Sequence, residues 1–190
     1  MPKLGMEPIR RAALVKATIT EIGERGSLDV TVAQIARRAG MSAALAHHYF
    51  GGKEDIFLAA MRHTLTVYGA EVRGALAMAS GPRERLEAVV RAGFSSSNFR
   101  TETVAAWLNF YVLALTSPTA ARLLKIYQGR LRANLRHALR PLSAEPAPVA
   151  ERIAALIDGL YLREALARQT PDGAAATAQV LAALDKELSS

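Results

Sequence analysis

The sequence predicts an all-α protein of about nine helices, and three observations carry that expectation. Hydrophobic residues make up 51% of the 190, and they are mostly Ala and Leu, which favour helices. Few β-branched residues alternate at period two, so little or no sheet is expected. Clusters of Gly, Pro, Ser and Asn separate the apolar-periodic segments and cut the chain into helix-length pieces. A chain of this length buries one good core, or a small domain plus a medium one. The expected division is 1–52 and 53–190.

Residues 1–6 read as a short arm in which Lys3 is available to a phosphate. A first helix is expected from about Glu7 to Arg25, stopping at Gly26, with Leu14, Ala17, Thr18 and Ile22 on its buried face. Arg10 and Arg11 lie in its first turn, where they either reach a phosphate backbone or stay solvated. The next informative stretch is Thr31–Phe50, TVAQIARRAGMSAALAHHYF. Thr31 and Gln34 stand at capping-box spacing, and Val32, Ile35, Ala36 and Ala39 make one apolar face. Gly40 frees the backbone for a turn, Met41 is an apolar plug, and Ser42 caps a second short helix. On that helix Leu45 is expected to point inward and Ala43, Ala44, His47 and His48 outward. Small residues and donors on one outer face let a helix approach a major groove closely, although an ordinary helical hairpin would share the spacing. Tyr49-Phe50-Gly51-Gly52-Lys53 follows, and a Lys at a helix start adds its charge to a helix N-terminus that already favours phosphate.

With Thr31, Ile35, Ala36, Ala39-Gly40, Ser42, Tyr49-Phe50 and Lys53 in place, residues 8–68 resemble the DNA-binding domain of the TetR family of bacterial repressors. The resemblance implies that Ser42, Ala43, Ala44, His47 and His48 face the groove. Thr31, Tyr49 and Lys53 would position the backbone, with Arg10 and Gln34 in the same DNA-binding set. Two positions depart from the family pattern. Ala44 stands where Gly is frequent, and His47 stands where a phosphate-contacting Tyr is frequent, so position 47 carries an altered donor.

The net charge of +7 suits an anionic partner, but it is spread along the chain and does not by itself mark a DNA domain. The chain has no Cys, which excludes disulfides, thiolate metal sites and Cys catalysis. No apolar run reaches membrane-spanning length and the N-terminus carries no signal-peptide pattern, so a cytoplasmic protein without membrane contact is expected. His47 and His48 are adjacent and His63 and His137 isolated, so none makes an i, i+4 metal pair. No phosphate loop or nucleophile elbow appears. An enzyme is therefore not expected, nor a metal or cofactor. A plain helical interaction module fits less well than a DNA reader.

After a long helix from Lys53 to about Met78, turn signals divide the rest into helices near 83–95, 102–116, 119–140, 148–168 and 173–188, with 141–148 a Pro-rich loop. The helix 119–140 carries Arg122, Lys125, Arg130, Arg132, Arg136 and Arg140, which form either a solvated face or a second nucleic-acid surface. Val149, Ile153, Leu156, Ile157 and Leu160, followed by Val180, Leu181, Ala183 and Leu184, give the last two helices broad apolar faces. These faces either close the monomer core or pair with a second copy in a four-helix bundle. A homodimer is expected, because reading a palindrome requires a two-fold partner.

Trp107, Phe110 and Tyr111 share one face of their helix, and Asp158 and Tyr161 share a face of another. Rings with a carboxylate nearby suit a quaternary ammonium, though the same rings also suit a core. The segments Met1–Met6, Ala105–Phe110 and Ala155–Arg163 resemble the choline-responsive members of the TetR family, repressors of the genes that make glycine betaine from choline. The resemblance implies operator DNA and choline as partners. Trp107, Phe110, Tyr111, Asp158 and Tyr161 are the effector-site candidates that ring and charge placement suggest. A TetR-type repressor answering another cationic or aromatic compound is the alternative.

Overall fold

A computed structural model describes residues 5–167 and 169–189, and these residues form helices without any strand. The helices are α1 (Met6–Arg25), α2 (Val32–Arg38), α3 (Ala43–Phe50), α4 (Lys53–Met78), α5 (Pro82–Gly93), α6 (Thr101–Ala114), α7 (Pro118–Leu139), α8 (Pro146–Leu166) and α9 (Gly173–Ser189). Lys3 and the rest of the arm before Gly5 lie outside the described residues, and Met6 already belongs to α1. The Pro-rich segment is shorter than expected as a loop, because Pro146 opens α8. Proline has no N–H to leave unpaired there, and its fixed φ suits a first helical turn.

Helices α1, α2 and α3 close a small core on Leu14, Ile22, Val30, Ile35, Ala46 and Phe50. The Arg11 guanidinium lies 4.4 Å over the Phe50 ring and donates to the Tyr49 carbonyl, so it fastens α1 to α3. Arg38 reaches back from α2 to Glu21 at 2.6 Å and also pairs with Glu24. The hydrogen bond from Arg38 holds the largely buried Glu21 carboxyl below its usual range.

One inward assignment changes. Leu45 is only half-buried and stands outside the core, whereas Ala46 and Phe50 are buried. Ser42 starts the helix by accepting the Leu45 N–H at 3.2 Å, and positions 46 and 50 then fall on the inner face at a spacing of four. The broad apolar face of α8 also changes role. Val149, Ile153, Ile157 and Leu160, with Val180 and Leu184 from α9, are buried within the single chain. The face these helices leave outside is different: Ala155, Gly159, Leu162 and Leu166 on α8, and Ala175, Ala178 and Ala182 on α9.

The small N-terminal unit is joined to the rest mainly through α1, which packs on α4 and α6. At the α1–α6 crossing the backbones approach closely: a Cβ built on Gly23 would lie 2.5 Å from the Glu102 Cα. Only glycine fits that distance. Gly23→Ala is therefore expected to lower stability by about 1–3 kcal/mol, although alanine is the better helix former. Urea unfolding followed by circular dichroism would measure it, and an unchanged or raised midpoint would contradict the close crossing.

Candidate functional site

The turn between α2 and α3 is built as a DNA reader requires. Thr31 Oγ1 accepts the Gln34 N–H at 3.2 Å, and Gln34 Oε1 accepts the Thr31 N–H at 2.8 Å, completing the capping box. Gly40 adopts φ 68°, a left-handed conformation that a side chain would resist, and the Met41 N–H returns to the Ala36 carbonyl at 2.8 Å. Ser42, Ala44, His47 and His48 are exposed, and Ala43 is half-buried. The half-exposed Leu45 was missed as an outer-face residue.

His47 stands at the end of α3 with its ring fixed. Its Nδ1 lies 2.7 Å from the Gly51 carbonyl, which can only accept, so Nδ1 carries the proton and Nε2 points free for contact. Tyr49 leans on α1, its hydroxyl accepting from Arg10 Nη1 at 3.3 Å. Arg10 is thus tied to α3 but keeps its remaining donors. Lys53 opens α4, exposed, with Nζ 5.5 Å from the Phe57 ring centroid. Directly beside it, Glu54 accepts a hydrogen bond from the Ser117 hydroxyl at 2.7 Å. Ser117 is also the N-cap of α7, so the turn after α6 is fastened to the first turn of α4.

The second constellation lies among α4, α6, α7 and α8, and it centres on Asp158. Its Oδ1 accepts hydrogen bonds from the Tyr111 hydroxyl at 3.1 Å and the Tyr127 hydroxyl at 3.2 Å. Trp107 packs against Tyr127 at 4.9 Å, Tyr111 at 6.0 Å and Tyr161 at 6.3 Å between ring centroids. Tyr68 from α4 meets Tyr127 edge-on at 5.6 Å. The chain has five tyrosines and one tryptophan, and four of those tyrosines converge here with the tryptophan. Phe110 is fully buried behind Trp107, 6.2 Å away. Tyr161 turns its hydroxyl away from Asp158 to the Gly93 carbonyl and closes the cluster from behind, against Phe94 and Phe99.

Tyr68 and Tyr127 were missed in the sequence. Tyr127 had a readable signal, since it is in register with Ala120, Leu131 and Leu135 on the buried side of α7. Tyr68 had the same signal, in register with Met61, Thr64, Leu65 and Val72 on the inner side of α4.

Burial raises the Asp158 carboxyl above its usual range, and the hydroxyls of Tyr111 and Tyr127, together with the Arg132 charge, pull it back only in part. Burial, and then the neighbouring carboxylate, push the Tyr68 and Tyr111 phenols up. Burial is also the main cause for Tyr127 and Tyr161. All four stay neutral donors with intact ring faces at neutral pH. A negative centre surrounded by electron-rich faces attracts a cation that needs no hydrogen-bond acceptor. Among the described residues no group of three His, Asp or Glu is placed to hold a metal ion.

Residues 82–189 match the family described as BetI-type transcriptional repressor, C-terminal, and residues 14–60 match bacterial regulatory proteins, tetR family. The chain belongs to the BetI-type branch of the TetR family. It is 53% identical over 182 residues to the HTH-type transcriptional regulator BetI of Brucella suis biovar 1 (strain 1330), covering 95% of this chain and 92% of that one. It is 52% identical over 193 residues to the BetI of Agrobacterium fabrum, covering 100% and 93%. Among solved structures, a putative transcriptional regulator from Pseudomonas aeruginosa PAO1 superposes with TM-score 0.81 at 27% identity, over 98% of this chain and 93% of that one. A putative transcriptional regulator from Saccharomonospora viridis, in complex with choline, shares the fold with TM-score 0.78 at 20% identity, over 92% and 95%. This TetR-family chain is accordingly a transcriptional repressor and not an enzyme.

The raised Asp158 pKa fixes the sign of a pH effect. A carboxyl whose folded-state pKa exceeds its ordinary value, 3.8 here, favours folding below that value and loses the advantage as pH rises through the folded pKa. At neutral pH the ionised Asp158 therefore opposes folding. Asp158→Asn, which keeps an acceptor for both tyrosines, is expected to raise the urea midpoint at pH 7, with the gain shrinking toward acid pH. A lower midpoint at pH 7 would mark Asp158 as a purely structural group.

Proposed function

We propose that this repressor binds operator DNA as a homodimer, answers choline, and controls genes that convert choline to glycine betaine. The observation that carries the effector is a half-buried carboxylate that accepts from Tyr111 and Tyr127 inside a ring cluster completed by Trp107, Tyr68 and Tyr161. A quaternary ammonium offers no N–H, so ring faces must do most of the recognition, at about 0.5–2 kcal/mol each, with Asp158 supplying the counter-charge. The choline complex of the Saccharomonospora viridis regulator and the identity to BetI proteins support the same reading. Residues 1–52 serve as the DNA-reading domain, and 53–190 as the effector and dimerisation domain, in the cytoplasm. No described helix is long and apolar enough to cross a membrane.

On DNA, Ser42, Ala43, Ala44, His47 and His48 face the major groove, with Leu45 beside them. Thr31, Tyr49, Lys53 and Arg10 position the phosphate backbone, and Gln34 acts by holding the Thr31 cap. With Nδ1 holding the proton, the Nε2 of His47 is an acceptor, suited to a base-edge N–H in the groove rather than to the phosphate that the family's frequent tyrosine contacts.

Effector and DNA sites are linked through α6. Its first turn meets Gly23 of α1, and the turn after it holds Glu54 next to Lys53. Trp107 and Tyr111 lie between these two fixed ends. The rings pack on one another, so choline must part them to enter, and that displacement is transmitted to α1 and to the start of α4. Such a ligand changes DNA affinity only by preferring one arrangement of the reading helices.

Calorimetry with choline and its neutral isostere 3,3-dimethylbutan-1-ol tests the effector. Choline is expected to bind at least tenfold tighter, and Trp107→Phe to weaken it. Trp107→Ala is the poorer variant, because Trp107 is 4% exposed and its truncation opens a cavity costing about 3–5 kcal/mol. Equal binding of the isostere would replace choline with an uncharged effector.

The dimer face is expected to be the outer stripe of α8 and α9, where small residues allow close helix approach. Leu162 and Leu166 are 46% and 64% exposed on that stripe. Leu162→Arg should halve the mass seen by light scattering and weaken operator binding. A wild-type monomer with full operator affinity would overturn the dimer. Charge at Leu184 is uninformative, since Leu184 is fully buried within the subunit.

A further inference from the structure

A cavity of about 350 Å³ lies between α4 and α7, with Tyr68 and Tyr127 in its wall, while Trp107, which packs on Tyr127, is not among its lining residues. Its volume falls within the range of small-molecule sites, roughly 300–1,000 Å³. Both helices give it aliphatic walls, Val72 and Leu76 from α4 and Ile126 and Leu131 from α7. Ile126 is 41% exposed, so the lining includes apolar surface that nothing in the chain covers. The charged groups at the cavity have one sign. Arg73 and Arg130 line it from opposite helices, Asn134 adds an amide, and no acidic side chain is among the lining residues. Among the described residues neither arginine has an ion-pair or hydrogen-bond partner, whereas Arg132 on α7 itself, Arg83 on α5 and Arg152 on α8 all do.

This chemistry differs from that of the Asp158 cluster. Two unpaired guanidinium groups beside an apolar cavity oppose a small cation and favour an anion with an apolar body. The apolar part would cover Ile126 and its neighbours, and the anionic head would take charge-assisted, bidentate bonds from the two guanidinium forks. We propose that the α4–α7 cavity is a second effector site, for an amphiphilic anion such as a medium-chain carboxylate. It is separate from the choline site but shares Tyr68 and Tyr127 as a wall. Because Tyr127 also donates to Asp158 and packs on Trp107, occupation of the cavity is felt by the ring cluster, and any coupling between the two ligands is reciprocal.

Octanoate is the probe, with octan-1-ol as the uncharged control and octyltrimethylammonium as the opposite charge. Binding is read by calorimetry and by the fluorescence of Trp107, the only tryptophan. Octanoate is expected to bind at least tenfold more tightly than either control and to change the Trp107 emission. Both arginines are exposed, so the double variant Arg73→Ala/Arg130→Ala should fold normally. It should lose octanoate affinity at least tenfold while binding choline within about twofold of wild type. Octanol binding as well as octanoate, or unchanged octanoate binding in the double variant, would overturn the anion assignment. Tighter octyltrimethylammonium binding would also overturn it and make the cavity an extension of the cation site. Absence of octanoate binding in a protein that binds choline sinks this proposal alone. Absence of choline binding with octanoate bound sinks only the choline reading.

Discussion

One half-buried carboxylate organises the larger part of this protein. Asp158 of α8 receives a hydroxyl from α6 through Tyr111 and another from α7 through Tyr127, so three helices meet at a single oxygen. A charge withdrawn from water is unfavourable, and two neutral hydroxyls and the Arg132 charge compensate it only partly. Stability alone would be served as well by a neutral acceptor. The site instead keeps a residual negative potential, and it surrounds that potential with ring faces. A fold that retains an undercompensated charge at the junction of three helices is poised for a cation.

In the proposed coupling the ring cluster is linked to DNA through α6, held at its start by α1 and, just past its end, by the first turn of α4. From Glu102, against Gly23, α6 runs about 18 Å to Ala114, and the turn after it brings Ser117 to Glu54. Trp107 and Tyr111 sit along it. Helix α4, which begins at Lys53, offers one such connection. Tyr68 does bring α4 to the ring cluster. The α1–α6 crossing adds a second route and a tighter one, because backbone against backbone cannot be absorbed by a rotamer change.

The sequence made the fold plain because local signals agreed with one another. Thr31 and Gln34, Gly40, Ser42 and the prolines at 118 and 146 each mark a helix end by a mechanism that needs no distant partner. Helix phase was harder. Leu45 looked like a core residue by hydrophobicity, but the Ser42 cap sets the phase that gives the inner face to Ala46. The faces of α8 were legible as apolar but not as inner or outer. Val149 and Leu160 are buried in one chain, and Leu162 and Leu166 are not, a division that depends on where α6, α7 and α9 lie. At the ring cluster the sequence put Trp107, Phe110 and Tyr111 on one face. It could not bring in Tyr68 and Tyr127, because both arrive from other helices by tertiary packing.

The central claim is that the cation is drawn to an ionised Asp158. Choline affinity measured by calorimetry from neutral to acid pH, in the wild type and in Asp158→Asn, tests it most directly. The wild-type affinity should hold at neutral pH and then fall by about tenfold per pH unit once Asp158 protonates, while the variant binds weakly with no such step. A wild-type affinity that matches the variant at every pH would contradict the account.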